Sequence, residues 1–316
     1  MRLRNSGDNL EEFAFILYNV MLPIAIIVLL GYFVQIRLQL DRGTLGKMMI
    51  NYIMPIFIFM NLYESDIDFS LLLYIMFFLF IFAGVSFLIS SIFAKLSKVK
   101  ENHKVLFTNS SLLYNAGNYG VPVNDLVFRS DPFAMSVQVI MMVFQNILSY
   151  SYGIIALSSA ESSKLKALLG YFKMPMFYGL VFGLLLNYFS VDLIEPLTKS
   201  FGYVKDSMIG FVLFILGTQI AGIKFHKLRP SAFIAAGLKL LIIPFFSLIL
   251  LMVFNIDGVV AQAIFITTAL PSSVNSSVIA QQYSNDPEYA AEIVMISTLF
   301  SAITVPLIIF TAMTVF

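Results

Sequence analysis

The amino-acid sequence predicts an all-α membrane protein, and two observations indicate this class. Hydrophobic residues make up 59% of the chain and charged residues only 12%, with a mean hydropathy of +0.89; soluble proteins contain about 45–50% apolar residues. The apolar residues form long runs, such as 13–34, 71–94 and 238–254, and a transmembrane helix needs about 20 of them in succession. These runs lack the alternation of membrane β-strands, so we expect helices.

Loop residues divide the apolar runs into about ten predicted transmembrane spans. Their approximate limits are 13–35, 47–63, 70–94, 105–128, 133–157, 173–190, 203–223, 231–254, 259–282 and 290–314. Most of the 19 Lys and Arg residues fall in one set of alternate loops. Because Lys and Arg concentrate on the cytoplasmic side of a membrane, we expect both termini to lie outside.

The loop at residues 158–172 divides the predicted spans into two sets of five. Residues 1–157 then form a first five-helix repeat, 158–172 a cytoplasmic linker and 173–316 a second repeat. An odd number of spans in each repeat forces the two repeats into opposite orientations. Inverted repeats of this kind underlie many secondary transporters, whose substrate sites lie between interrupted helices.

Two matching interruptions support this interpretation. The fourth span of the first half contains NAGNYGVP at 115–122, and the fourth span of the second half contains PSSVNSS at 271–277. A broken helix exposes N–H and C=O groups, which a membrane tolerates only inside protein or beside a cavity. We expect breaks at Pro122 and Pro271, with Ser272 and Ser273 capping the helix that restarts.

The two restarting helices should point their amino ends at each other and form a place for an anion. The predicted substrate-binding residues are Asn115, Gly117, Asn118, Tyr119, Gly120, Pro122, Pro271, Ser272, Ser273, Asn275 and Ser276. Close helix packing is the alternative role for such small residues. Two stretches in corresponding spans, each with Asn, favour the site.

Four further polar residues are accessory candidates. Asp125 is expected in the first turn after Pro122, either as a helix-terminal charge near outer water or as a proton or Na⁺ site. Lys239 lies well inside a span and either extends its ammonium to the interface or is functional. Gln145 and Asn146 either line the cavity or tie helices together.

The sequence lacks the residues and motifs that several kinds of function require. The chain has no cysteine, hence no thiolate nucleophile or Cys-based metal site; it has no GxxxxGK[ST] nucleotide motif, and no carboxylate pair inside a span. We therefore expect neither an enzyme nor a cofactor, although Na⁺ or H⁺ coupling stays open. A net charge of +1 argues against nucleic acid. A channel, or a carrier for a cation or neutral solute, is the alternative to an anion carrier.

Four segments resemble the auxin efflux carrier family in its short bacterial form. They are NAGNYGVPV at 115–123, LPSSVNSSVIAQQY at 270–283, NYIMPIFIF at 51–59 and KLLIIP at 239–244. The long cytoplasmic loop of the plant members is missing. Asp125 also departs from the family, which is usually apolar at this position.

The resemblance implies ten helices in a bacterial inner membrane. Spans one, two, six and seven would form a scaffold, and the others a moving transport domain in which spans four and nine cross at their prolines. A small carboxylate such as malate would be held near Asn115, Pro122, Pro271 and Asn275 and carried by an elevator-like movement. A homodimer through the scaffold helices is one assembly that this arrangement allows.

Overall fold

The structure, a computed structural model, describes residues 6–157, 169–170, 172–222, 228–284 and 286–316. The helices in chain order are α1 (Leu10–Leu38), α2 (Arg42–Tyr63), α3 (Phe69–Leu96), α4 (Glu101–Leu112), α5 (Val121–Val127), α6 (Pro132–Leu157), α7 (Pro175–Tyr188), α8 (Glu195–Ala221), α9 (Pro230–Val253), α10 (Gly258–Thr268), α11 (Val274–Tyr283) and α12 (Pro287–Val315). Seven of them, α1, α2, α3, α6, α8, α9 and α12, are long and apolar enough to cross a membrane. The all-helical class is thus confirmed for the described residues.

The helices follow the predicted spans closely. Span four corresponds to α4 and α5, and span nine to α10 and α11, so the two interrupted spans are each a pair of shorter helices. The arrangement in two inverted repeats stays a prediction. The predicted linker 158–172 lies outside the described residues, except for 169–170 and 172.

Short π-helical turns precede four of the prolines that lie within these helices. The described chain has π-turns at Ile16–Met21, Met49–Ile53, Ala116–Gly120, Ser149–Gly153 and Leu238–Ile242. In four of these five cases the next helical segment carries proline near its start: Pro23, Pro55, Pro122 or Pro244. Proline lacks an N–H and its ring clashes with the carbonyl one turn earlier. The wider π-turn accommodates this residue without ending the helix.

The closest helix packing occurs between α1 and α8. A Cβ added at Gly217 of α8 would lie 2.0 Å from the Val28 carbonyl oxygen, and one added at Gly31 of α1 would lie 2.2 Å from that of Phe214. Only glycine permits this backbone approach, which is common between membrane helices. On the neighbouring pair, Asn187 of α7 donates to the carbonyls of Tyr63, the last residue of α2, and of Ser65, each at 2.9 Å.

Most of the remaining helices pack on α12 or α6, and α3 packs mainly on α4. The helix α12 contacts α4, α9, α10 and α11, while α6 contacts α3, α5 and α10. Large apolar side chains such as Phe33, Phe77 and Phe80 are exposed on the outside, as expected for a surface that faces lipid. The interrupted helices therefore lie inside the protein, where their free backbone groups can find partners.

Candidate functional site

The two interrupted helices meet at their breaks. The Asn115 N–H donates to the Pro271 carbonyl at 2.9 Å, and the Ser273 N–H donates to the Leu113 carbonyl at 2.8 Å. A single antiparallel bridge between Tyr114 and Ser272 joins the two segments. These bonds satisfy backbone groups that the breaks would otherwise leave bare at membrane depth.

The first break precedes its predicted position. The helix α4 ends at Leu112, and the π-turn Ala116–Gly120 leads directly into α5, whose second residue is Pro122. The prediction of a break at Pro122 was therefore wrong, because the π-turn accommodates the proline and residues 113–115 carry the interruption instead. Asp125 consequently lies about two and a half turns beyond the break, not in the first turn of the restarting helix.

The second break follows the prediction more closely. The helix α10 ends at Thr268 and α11 begins at Val274, with Pro271 between them. Ser273 is the N-cap of α11, since its hydroxyl accepts a hydrogen bond from the Asn275 N–H at 3.2 Å. Ser272 has a different role: its N–H donates to the Ser297 hydroxyl of α12 at 3.1 Å.

A cavity of about 300 Å³ opens beside the crossing. Seven of the predicted residues line it: Asn115, Gly117, Asn118, Gln145, Asn146, Ser273 and Asn275. The other predicted residues do not line it. Tyr119, Gly120, Pro122 and Ser276 lie in the helical segments around the crossing, and Pro271 and Ser272 lie in the second break. Asp125 lines a second cavity, and Lys239 is buried beside the breaks. The π-turn and the amino end of α11 thus face a common space.

Amide groups in this cavity have spare hydrogen-bonding capacity. The Asn115 Nδ2 atom and both polar atoms of the Gln145 amide are buried without a hydrogen-bond partner among the described residues. Asn275 Nδ2 donates to Asn146 Oδ1 at 3.3 Å. Because buried polar groups are normally bonded, these free donors and acceptors are suited to a polar ligand.

The cavity extends to basic residues at the start of α2. Arg42 and Lys47 line it, and both residues are solvent-exposed. The guanidinium of Arg42 lies against Gly222, which ends α8. No Asp or Glu among the described residues lines this cavity, so its local charge is positive.

Gln138 of α6 connects the two breaks and was missed in the sequence. Its Nε2 atom donates to the Ala116 carbonyl at 2.8 Å, and its Oε1 atom accepts a hydrogen bond from the Thr267 hydroxyl of α10. A Cβ at Gly120 would lie 2.4 Å from the same Nε2 atom, which explains the glycine there. The only signal in the sequence was a glutamine within an apolar run.

Lys239 occupies a position that neither sequence interpretation described fully. Its side chain is completely buried, and Nζ donates to the Thr268 carbonyl at the end of α10, at 2.9 Å. The interpretation in which the ammonium reaches the membrane interface was therefore wrong. The helix end offers a carbonyl acceptor deep in the protein.

A second cavity, of about 310 Å³, lies between the other halves of α2 and α8 and the loop after α5. Glu64, Asp125 and Asp206 line it together with Lys205, which pairs with Glu64 at 2.6 Å. Asp125 is only partly buried. The predicted accessory carboxylate is therefore associated with this acidic cavity and not with the crossing.

Comparison with known proteins places the chain in a family of membrane transporters. The family model described as "Membrane transport protein" matches residues 16–309. An uncharacterized transporter of Methanothermobacter thermautotrophicus is 24% identical over 90% of this chain and 95% of its own length. The uncharacterized transporters MJ1031 of Methanocaldococcus jannaschii and YfdV of Escherichia coli are 26% and 23% identical, each over 92% of this chain and 96% of their own length. The chain is therefore an integral membrane protein of the membrane transport protein family, the auxin efflux carrier family that its motifs resemble.

Proposed function

We propose that this membrane transporter is a secondary carrier of a small organic anion, a malate-like mono- or dicarboxylate. The observation that carries the proposal is the cavity at the crossing, where two helix starts and unpartnered amides converge. The residues that would hold the carboxylate are Asn115, Asn275 and Gln145, with the cap of α11 at Ser273.

Charge supports an anion over a cation at this place. The amino end of a helix carries roughly half a positive charge and free N–H donors. Arg42 and Lys47 add full positive charges along the cavity, and no carboxylate among the described residues opposes them. A volume of about 300 Å³ is at the small end for ligand sites, which span about 300–1,000 Å³, and suits a small acid.

The mechanism that we propose is alternating access. Both cavities lie between α2 and α8 on one side and α5 or α6 on the other, at opposite ends of these helices. Movement of α3–α6 and α9–α12 against α1, α2, α7 and α8 would close one cavity and widen the other. In this proposal the two groups correspond to the transport domain and the scaffold of two inverted five-helix repeats.

We further propose that the basic cavity faces the cytoplasm of a bacterium, with both termini outside the inner membrane. The Lys and Arg bias of the loops supports this orientation. Arg42 and Lys47 would then belong to the cytoplasmic entrance, and the Glu64–Lys205 pair would lie near the outer surface.

The alternative is a channel or carrier for a cation or a neutral solute, including a symporter. One observation favours it, namely the three carboxylates of the second cavity, Glu64, Asp125 and Asp206. Carboxylates would attract cations to that side of the crossing, whereas the crossing itself has none among the described lining residues.

A ligand screen separates the two candidates. The purified protein would be tested by thermal shift and by uptake into proteoliposomes with mono- and dicarboxylates, inorganic cations and neutral solutes. We expect saturable binding of a carboxylate and counterflow of that solute, because a carrier exchanges its substrate and a channel does not. Failure of every organic anion, with a cation or neutral solute active, would contradict the proposal.

A further inference from the structure

Lys239 lies at the junction of both breaks and does not line the cavity. Its Nζ atom donates to the carbonyl of Thr268, the last residue of α10, at 2.9 Å. The same atom lies 5.0 Å from the centre of the Tyr114 ring, and Tyr114 belongs to the break in span four. One ammonium group therefore contacts the ends of both interrupted helices.

The Thr268 carbonyl is a natural place for a cation. The carboxyl end of a helix carries partial negative charge and unpaired carbonyl groups. In transporters with interrupted helices, such helix ends and unwound carbonyls coordinate the coupling ion. The adjoining hydroxyl of Thr268 is already bonded to Ser247 at 2.7 Å, so the side chain of Lys239 completes the polar contacts of this helix end.

The charge of Lys239 has no carboxylate partner within the described residues. A buried charge without a counter-charge is costly, and a hydrogen bond and an aromatic ring compensate it only in part. Tyr114 connects the two places, because the residue lines the cavity and its ring centre lies 5.0 Å from Nζ. An anion at the crossing would therefore receive the attraction of this charge.

We propose that Lys239 is a built-in cation that takes the place of an external coupling ion at the second break. The transporter then binds its anion without Na⁺. The expected effect on anion binding rests on the proposed function. The replacement of a cation by the ammonium does not, and it is tested separately in the ligand-free protein.

The first test measures the melting temperature of the purified protein in NaCl and in choline chloride of equal concentration. We expect no difference for the wild-type chain. Lys239→Ala should melt lower by about 2–12 °C, the shift expected for one buried group left without its partner, and Na⁺ or methylammonium should raise the melting temperature again in a saturable way. Lys239→Met fills the space without a charge and should show no such recovery.

A control variant and defined contrary outcomes accompany these melting-temperature measurements. Lys199→Ala removes an exposed lysine of α8 whose side chain is 68% exposed, and should change neither the melting temperature nor its salt response. A saturable rise in the wild-type melting temperature with Na⁺ would overturn the proposal. So would a saturable rise in the melting temperature of Lys239→Met with Na⁺, or Lys239→Ala without a response to either cation. If Lys239→Ala does not fold, the wild-type and Lys239→Met measurements still decide.

The second test measures L-malate binding in the same two salts. We expect equal affinity in NaCl and choline chloride for the wild-type chain, and at least tenfold weaker binding by Lys239→Ala in choline chloride, restored by methylammonium. Na⁺-dependent binding by the wild-type chain would overturn the inference. Absence of L-malate binding by the wild-type chain counts against the proposed malate-like substrate, and the melting temperatures then decide on Lys239.

Discussion

Gln138 is a single residue on which the geometry of the crossing depends. Its amide donates to Ala116 in the first interrupted helix and accepts from Thr267 in the second, so both polar atoms are used. The run of Asn, Gly, Pro and Ser residues could be read in the sequence as a break because these types disfavour a continuous helix. Gln138 could not, since its partners lie 22 and 129 residues away and only the fold brings them together.

We expect Gln138→Leu to destabilise the protein and to impair transport. The substitution leaves the Ala116 carbonyl and the Thr267 hydroxyl buried without this partner, at a cost of about 1–3 kcal/mol for each unsatisfied group. Thermal unfolding in detergent would measure the loss. Gln282→Leu, at an exposed position of α11, is the control. Equal melting temperatures for Gln138→Leu and the wild type would show that the link is unimportant.

The prolines show what a sequence can and cannot predict about an element. Hydrophobic runs predicted the helices closely, because the bilayer fixes their length. Pro122 and Pro271 look alike in the sequence, yet only Pro271 lies in a break. The π-turn before Pro122 decides the difference, and π-turns depend on packing more than on any local pattern.

A polar cluster joins the amino ends of α4, α9 and α12. Asp286, the N-cap of α12, accepts hydrogen bonds from His103 of α4 and from Arg229 beside α9, each at 2.8 Å. The Arg229 guanidinium lies 5.3 Å from the Tyr289 ring centre, and the His103 ring stacks on Tyr289 at 4.5 Å. The three helices are thereby held together next to the second interrupted helix.

We expect Asp286→Asn to lower the melting temperature, since the change removes the charge that Arg229 and His103 share. Hydrogen bonds to charged groups contribute roughly 1.5–3 kcal/mol each, and partial exposure reduces this. Glu101→Gln is the matched control, because Glu101 is 87% exposed in its pair with Lys104. An equal effect of both substitutions would contradict the role of the cluster.

The same cluster predicts a pH dependence. Burial raises the pKa of Asp286, but the hydrogen bond and charge of Arg229, with the bonds from His103 and the Tyr289 N–H, lower it more, so the net pKa lies below its usual value. A lowered pKa in the folded state gives stability that is complete above about pH 4 and is lost as the pH falls through the folded pKa. The fall in melting temperature below pH 4 should be smaller in Asp286→Asn than in the wild type; an unchanged acid profile would contradict this.

Across the whole molecule, two cavities of similar size, about 300 and 310 Å³, lie along one boundary between helix groups. The arrangement in opposed halves stays a prediction, and the sequence did not show where the cavities lie, because their walls combine helices far apart in the chain. Asn61 of α2 and Ser136 of α6 approach each other across this boundary, with the Ser136 hydroxyl 3.4 Å from the Asn61 carbonyl. A link between these positions would tie the proposed scaffold to the proposed transport domain.

We expect a mercury cross-link between cysteines in Asn61→Cys/Ser136→Cys to stop transport and reduction to restore it. The chain has no cysteine of its own, so the added pair is unique. The control, Ser65→Cys/Asn187→Cys, lies within the proposed scaffold, where Asn187 already contacts Ser65, and should leave transport unchanged when cross-linked. Full transport by the cross-linked first pair would exclude movement along this boundary.

In the proposed function the crossing of the interrupted helices holds a small carboxylate, and counterflow of labelled L-malate in proteoliposomes is the direct test. Asn115→Ala and Asn275→Ala each remove an amide from the cavity; loss of a hydrogen bond to a charged group would weaken binding by about 10- to 160-fold. Asn19→Ala, on an exposed face of α1, is the control. We predict saturable counterflow by the wild type and the control, with strong loss in both cavity variants. Undiminished counterflow in Asn115→Ala and Asn275→Ala would exclude a carboxylate site at the crossing.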